Sequence, residues 1–182
     1  AIYPNDKSFI LRKIIIIYFK KDYLKAHELF KSNIEIVKQD IYYINYYLDC
    51  CNKLAFFNVV IDFSKLNLLD KIVKYDSVII SQQGGKMLLN SLKAAYSTHL
   101  GEAYYGKEDF INAELQLNKA LEFDEKYSRA YSDLGLIYFQ NNTTINFEKS
   151  IYYCNQALSY NPNELTALNT LGCINLQLKN ID

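Results

Sequence analysis

The apolar positions of this chain fall at helical rather than strand spacing, and they return to a beat. Leu100-Gly101 with Tyr104, Leu134-Gly135 with Tyr138, and Leu171-Gly172 form three nearly identical words, thirty-four and then thirty-seven residues apart. A fixed period in that range marks a repeat array, in which each unit cannot bury its own apolar face and stacks on its neighbours. Residues 94–127 make one unit, with Leu100, Gly101 and Tyr104 on a first helix and Phe110, Ala113, Leu117 and Ala120 on a second. Residues 128–164 make the next, with Tyr131, Leu134, Gly135, Tyr138, Phe147, Ser150, Ala157 and Pro162 at the matching places. Its three extra residues are expected within the polar stretch Asn141-Asn142-Thr143-Thr144-Ile145-Asn146, lengthening the turn and leaving both helices intact. A further unit, 165–182, shows only a first helix, and Asn175 replaces the expected aromatic.

The first half keeps the beat without the Leu-Gly word. Tyr23, Ala26 and Phe30 match Phe110, Ala113 and Leu117 in type, and Phe57 lies thirty-four residues after Tyr23. Two degenerate units are therefore expected over 7–69, divided near residue 40. Ile14-Ile15-Ile16-Ile17 taken alone reads as a buried strand. The periodic context decides for helix, because β-branching lowers helix propensity by only roughly a few tenths of a kcal/mol per residue. Phe57 and Phe110 are fifty-three residues apart, so an insertion is expected over 70–93, with an extra helix and the loop Ser81-Gln82-Gln83-Gly84-Gly85. A long first helix is expected to follow, over 86–105.

A helix-turn-helix of 34 residues with Gly101, Ala113 and Ala120 at its crossings resembles the tetratricopeptide (TPR) repeat. The physics agrees, since a larger side chain at such a crossing overpacks it at a cost of roughly 1–3 kcal/mol. The resemblance implies an all-α fold, a right-handed α-solenoid of antiparallel helix pairs whose first helices line a concave groove. It also implies which residues face that groove and bind a partner: Thr98, Glu102, Tyr105, Arg129, Ser132, Leu136, Phe139 and Asn169. One subclass of the family grips a terminal carboxylate with Lys and Asn, but here the matching positions hold Thr98, Ser132, Asn169, Glu102, Leu136 and Cys173. Tyr105, Leu136 and Phe139 with Arg129 beside them suit an amphipathic helix or an extended segment with apolar anchors.

Composition narrows the function further. Six Gly and two Pro in 182 residues argue against collagen, disorder and turn-rich β folds. Twenty basic and twenty acidic residues leave no concentrated basic face for nucleic acid. The longest apolar run, from Ile14 to Phe19, is far short of the roughly 18 residues of a membrane span. Cys50, Cys51, Cys154 and Cys173 lack C-x-x-C spacing and are expected to be buried free thiols, with no metal and no cofactor. Gly84-Gly85-Lys86 lacks the earlier Gly and the following Ser or Thr of a phosphate loop, and His27-Glu28 has Lys31 where a zinc helix needs its second His. No Ser, His and Asp grouping supports nucleophilic catalysis.

The expectation is therefore an interaction scaffold or adaptor that holds a protein or peptide partner, and not an enzyme. The alternative is a regulatory or targeting domain of a larger enzyme whose catalytic part lies outside residues 1–182. Self-association through uncovered terminal faces is a further expectation. Free thiols and the lack of a leader point to an intracellular protein, cytoplasmic or nuclear.

Overall fold

The spacing that reads as helix does form helix throughout the computed structural model, which describes residues 7–66, 85–140 and 144–179. Among the described residues there are ten α-helices and no strand. The first five are α1 (Lys7–Phe19), α2 (Tyr23–Ser32), α3 (Ile34–Val37), α4 (Ile41–Lys53) and α5 (Phe57–Ser64). The second five are α6 (Gly85–Gly106), α7 (Phe110–Phe123), α8 (Ser128–Gln140), α9 (Thr144–Tyr160) and α10 (Leu165–Lys179). Of the insertion expected over 70–93, the extra helix and loop residues 81–84 lie outside the described residues, whereas Gly85, expected in the loop, opens α6.

Helices pack in neighbouring pairs, α1 with α2, α4 with α5, α6 with α7 and α8 with α9. Contacts also run α1 to α4, α4 to α6, α6 to α8 and α8 to α10, so the first members of the pairs touch in sequence. The Ile-rich run lies in α1, where Leu11 and Ile14 are buried while Ile16 faces solvent.

Three of the pairs are joined by the same turn. Lys21, Ala55 and Glu108 adopt φ of 62°, 58° and 60°, and each stands two residues before the aromatic that opens the next helix, Tyr23, Phe57 or Phe110. Each donates its backbone N–H three residues back, to Tyr18, Asn52 or Tyr105. Asp22 and Asp109 then cap α2 and α7 by accepting the N–H of Lys25 and Asn112, which supplies a partner that the helix start lacks. Left-handed backbone at a residue other than Gly is unfavourable, so its recurrence at one position marks a shared geometry imposed by packing.

The fourth turn departs from this. Polar chemistry predicts that the three extra residues lengthen the turn before Phe147, yet α9 opens at Thr144 and runs for 17 residues against 14 in α7. Three residues separate α8 from α9, as three separate α6 from α7. The additional length has therefore joined the helix instead of the loop, where each added residue gains a backbone hydrogen bond. The single turn α3 is a second feature that the sequence spacing does not reveal.

Small residues set the crossings. A Cβ at Gly101 would lie 2.8 Å from Leu117 Cγ and 3.3 Å from the Ala113 carbonyl, and one at Gly135 would lie 2.5 Å from Cys154 Sγ. Ser150 Oγ reinforces the second crossing by donating to the Gly135 carbonyl at 2.6 Å. At Gly106 the Phe57 ring fills the same space, which seats α5 on the end of α6. The core accordingly changes along the chain. Phe30, Ile44, Tyr47, Leu48 and Val60 fill it at the start, whereas Ala94, Ala113, Ala120 and Ala130 line it around α7 and α8.

Cys50, Cys51 and Cys154 are buried and free, and burial pushes the Cys51 thiol up to about 12. Cys173 differs from the expected burial, since it lies exposed on α10. No helix among the described residues is long and apolar enough to cross a membrane.

Candidate functional site

Helical spacing brings charge together where the first helices of the pairs meet. Asp49 and Lys53 stand one turn apart on α4, His99 and Glu102 three residues apart on α6, and Arg129 on α8 reaches both carboxylates. Arg129 Nη2 lies 2.5 Å from Glu102 Oε1 and 3.5 Å from Asp49 Oδ1. Tyr18 of α1 donates its hydroxyl to Asp49, which also pairs with Lys53. Glu102 Oε2 accepts from Asn52 Nδ2 at 2.9 Å and lies 3.2 Å from His99 Nδ1. Four helices thus meet on two carboxylates.

The electrostatics follow from burial and pairing. Burial alone would raise the pKa of Asp49, but the field of His99 and the hydrogen bonds from Lys53 and Tyr18 outweigh it and hold the group below its ordinary value. Glu102 is likewise lowered, burial being overcome by the hydrogen bond from His99 and the charge of Arg129. Asp133, one turn after Arg129, goes the other way. Burial and the charge of Glu102 push it well above the ordinary value against the pull of Arg129, and its Oδ2 is buried without a hydrogen-bond partner. Removing one partner from such a network leaves an uncompensated buried charge.

Asp49, His99 and Glu102 place donor atoms within 4.8 Å of one another, a set that could hold a metal ion. Both carboxylates are already engaged, however, and Lys53 and Arg129 supply the positive charge that a cation would bring. The chemistry is that of an ion-pair network, and it forms a floor. Its acids are deep, with side chains 7% exposed at Asp49 and 18% at Glu102, whereas Lys53 and Arg129 are 37% and 40% exposed.

Above this floor open two hollows. The first, about 280 Å³, is lined by Tyr18, Tyr42, Tyr46, Lys53, Leu92 and Arg129. The second, about 130 Å³, is lined by Glu102, Tyr105, Asp133, Leu136 and Thr166. Glu102 in the wall of one pairs with Arg129 in the wall of the other, so the hollows adjoin along α4, α6 and α8.

The expected groove residues do not share one environment. Glu102 and Arg129 belong to the floor, and Tyr105 and Leu136 line the second hollow, the Tyr105 hydroxyl accepting from Gln140 Nε2 at 3.0 Å. Phe139 stacks on Phe147 with ring centroids 6.0 Å apart, and Asn169 is exposed on α10. Thr98 and Ser132 have no accessible surface, and Ser132 Oγ donates to the Arg129 carbonyl, so neither side chain is presented to a partner in this conformation. His99 is buried and belongs to the floor.

Sequence reasoning missed Tyr18, Asp49 and Lys53. Arg129 carried a usable signal, being one of two arginines in a chain that otherwise uses Lys, and a guanidinium suits a site where one cation must meet two carboxylates. No protein-family model matches the chain, and neither does any curated protein, so its function has to be inferred from this geometry.

Proposed function

We propose that the chain is a TPR-like α-solenoid that works as an interaction scaffold, holding a peptide segment of a partner protein along the face where its first helices meet. The observation that carries this reading is the pair of adjoining hollows over the ionic floor. Adjoining volumes of about 280 and 130 Å³ suit a row of inserted side chains. The exposed ring of Tyr42 with Tyr46, Tyr105 and Leu136 offers apolar contact area with polar tips, a surface type common at protein interfaces. The ion pairs beneath hold the floor in place, so little ordering is required when a segment binds. No catalytic role is assigned, because the acids of the floor are engaged with Tyr18, Lys53, Asn52 and Arg129.

The test is affinity purification with mass spectrometry, comparing the wild-type chain with a Tyr42→Ala, Tyr105→Ala double variant. The expected outcome is a protein captured by the wild type and lost from the variant while circular dichroism remains helical. Identical captures would remove this face from consideration.

A further inference from the structure

The second hollow holds an acid that the ionic floor leaves out. It is lined by Glu102 and Tyr105 of α6, Leu117 of α7, and Asp133, Leu136 and Ile137, which share one face of α8. Both oxygens of Glu102 are taken, Oε1 by Arg129 and Oε2 by Asn52 and His99. Asp133 Oδ2, by contrast, is shut off from solvent and has no hydrogen-bond partner. An unpartnered buried acceptor costs stability, and one standing in the wall of a hollow points to a partner that arrives from outside.

Charge around the hollow is unbalanced in the same sense. Asp133 faces Glu102 from α6 and Glu164 from just before α10, and the field of Arg129 opposes theirs. Arg129 is already committed to Glu102 and Asp49, and Glu164 accepts from Ser128 and Asn161. Tyr105 and Tyr127 also face Asp133, and burial keeps both hydroxyls protonated and neutral. A further positive charge is what the site lacks.

We infer that this hollow receives a lysine side chain of the bound partner segment, its methylene stem against Tyr105, Leu136 and Ile137 and its ammonium on the Asp133 carboxyl. The aromatic and aliphatic wall suits the stem of a side chain whose charge sits at its tip. The terminal torsion of Asp is broad, so the carboxyl turns toward a donor that enters. Lysine fits better than arginine, because a guanidinium fork needs two acceptors side by side and the oxygens of Glu102 are occupied. The inference rests on the scaffold reading for the source of the lysine.

The probe is Nα-acetyl-lysine methylamide, a single lysine capped at both backbone ends, titrated into the whole chain and followed by NMR at the Leu136 methyl groups. Saturable binding is expected, at least about tenfold weaker for the norleucine counterpart, which keeps the stem and lacks the charge, and for Asp133→Asn. Burial and Glu102 keep Asp133 protonated to a higher pH than usual. Affinity should therefore rise with pH through its folded value and level off above it, a rise that Asp133→Asn lacks. His99, on the far side of Glu102, is common to both proteins, so its titration cancels in the comparison. Circular dichroism checks that the variant is folded. Absence of saturable binding would overturn the proposal, and is the result if a lysine of the same chain already fills the hollow. Equal binding of the norleucine form, unchanged binding to Asp133→Asn, or tighter binding of the capped arginine would overturn it as well. The scaffold reading fails separately. Capture lost from the Tyr42→Ala, Tyr105→Ala variant without binding of the probe removes the lysine alone, whereas binding of the probe with identical captures removes the scaffold reading.

Discussion

At the scale of single residues, one substitution should act with opposite sign at two equivalent positions. Gly135→Ala pushes a methyl group to within 2.5 Å of Cys154 Sγ, whereas at Gly172 no neighbouring atom among the described residues lies within 4 Å of the added Cβ. The second change should stabilise the chain by about 1 kcal/mol, the helix-propensity difference between Gly and Ala. The first should destabilise it, because overpacking of roughly 1–3 kcal/mol outweighs the same gain. Urea midpoints of the two variants decide the matter, and a shift of the same sign would show that Cys154 moves aside at little cost. The period of the Leu-Gly words made these positions legible in the sequence. Which glycine was filled was not, because that depends on a helix elsewhere in the chain.

At the scale of elements, the aromatic beat located helix starts better than the polar residues located turns. Tyr23, Phe57 and Phe110 each open a helix. The left-handed residue two positions earlier is Lys21, Ala55 or Glu108, and none of these residue types announces such a turn. A Gly there would have been visible, and it should also fit better. Left-handed backbone costs a non-Gly residue roughly 1–2 kcal/mol, partly offset by the entropy that Gly loses on folding. Ala55→Gly and Glu108→Gly should therefore each stabilise the chain by about 0.5–1 kcal/mol, read as a higher urea midpoint at unchanged slope. A lower midpoint would mean that the side chains at these turns contribute more than their backbone strain costs. Around Thr144 the reasoning failed for a related cause, since polar residues are compatible with a loop and with the first turn of a helix alike.

At the scale of the whole molecule, the ionic floor makes stability depend on pH in two opposed ways. Asp49 and Glu102 are held below their ordinary values, so the stability they contribute is present above those values and is lost as pH falls through their folded ones. Asp133 is held well above 3.8, so the folded chain keeps a proton that the unfolded chain releases, and stability declines as pH rises through that window. Asp133→Asn, which cannot ionise, should raise the melting temperature by roughly 2–4 °C at pH 7 and by much less at pH 4. An equal gain at both would mean that shape and not the proton is responsible. Sequence period revealed where the first helices lie but not this floor, because Asp49 and Arg129 are eighty residues apart and no local pattern links them. The link has a mechanical consequence. A stack held only by nearest neighbours frays from either end one pair at a time, with early and late segments losing amide protection independently. Arg129 grips acids on both α4 and α6, so α8 cannot peel away without uncovering charge on two other helices. Fraying from the α10 end should therefore stop at this rivet, and α4, α6 and α8 should lose amide protection together.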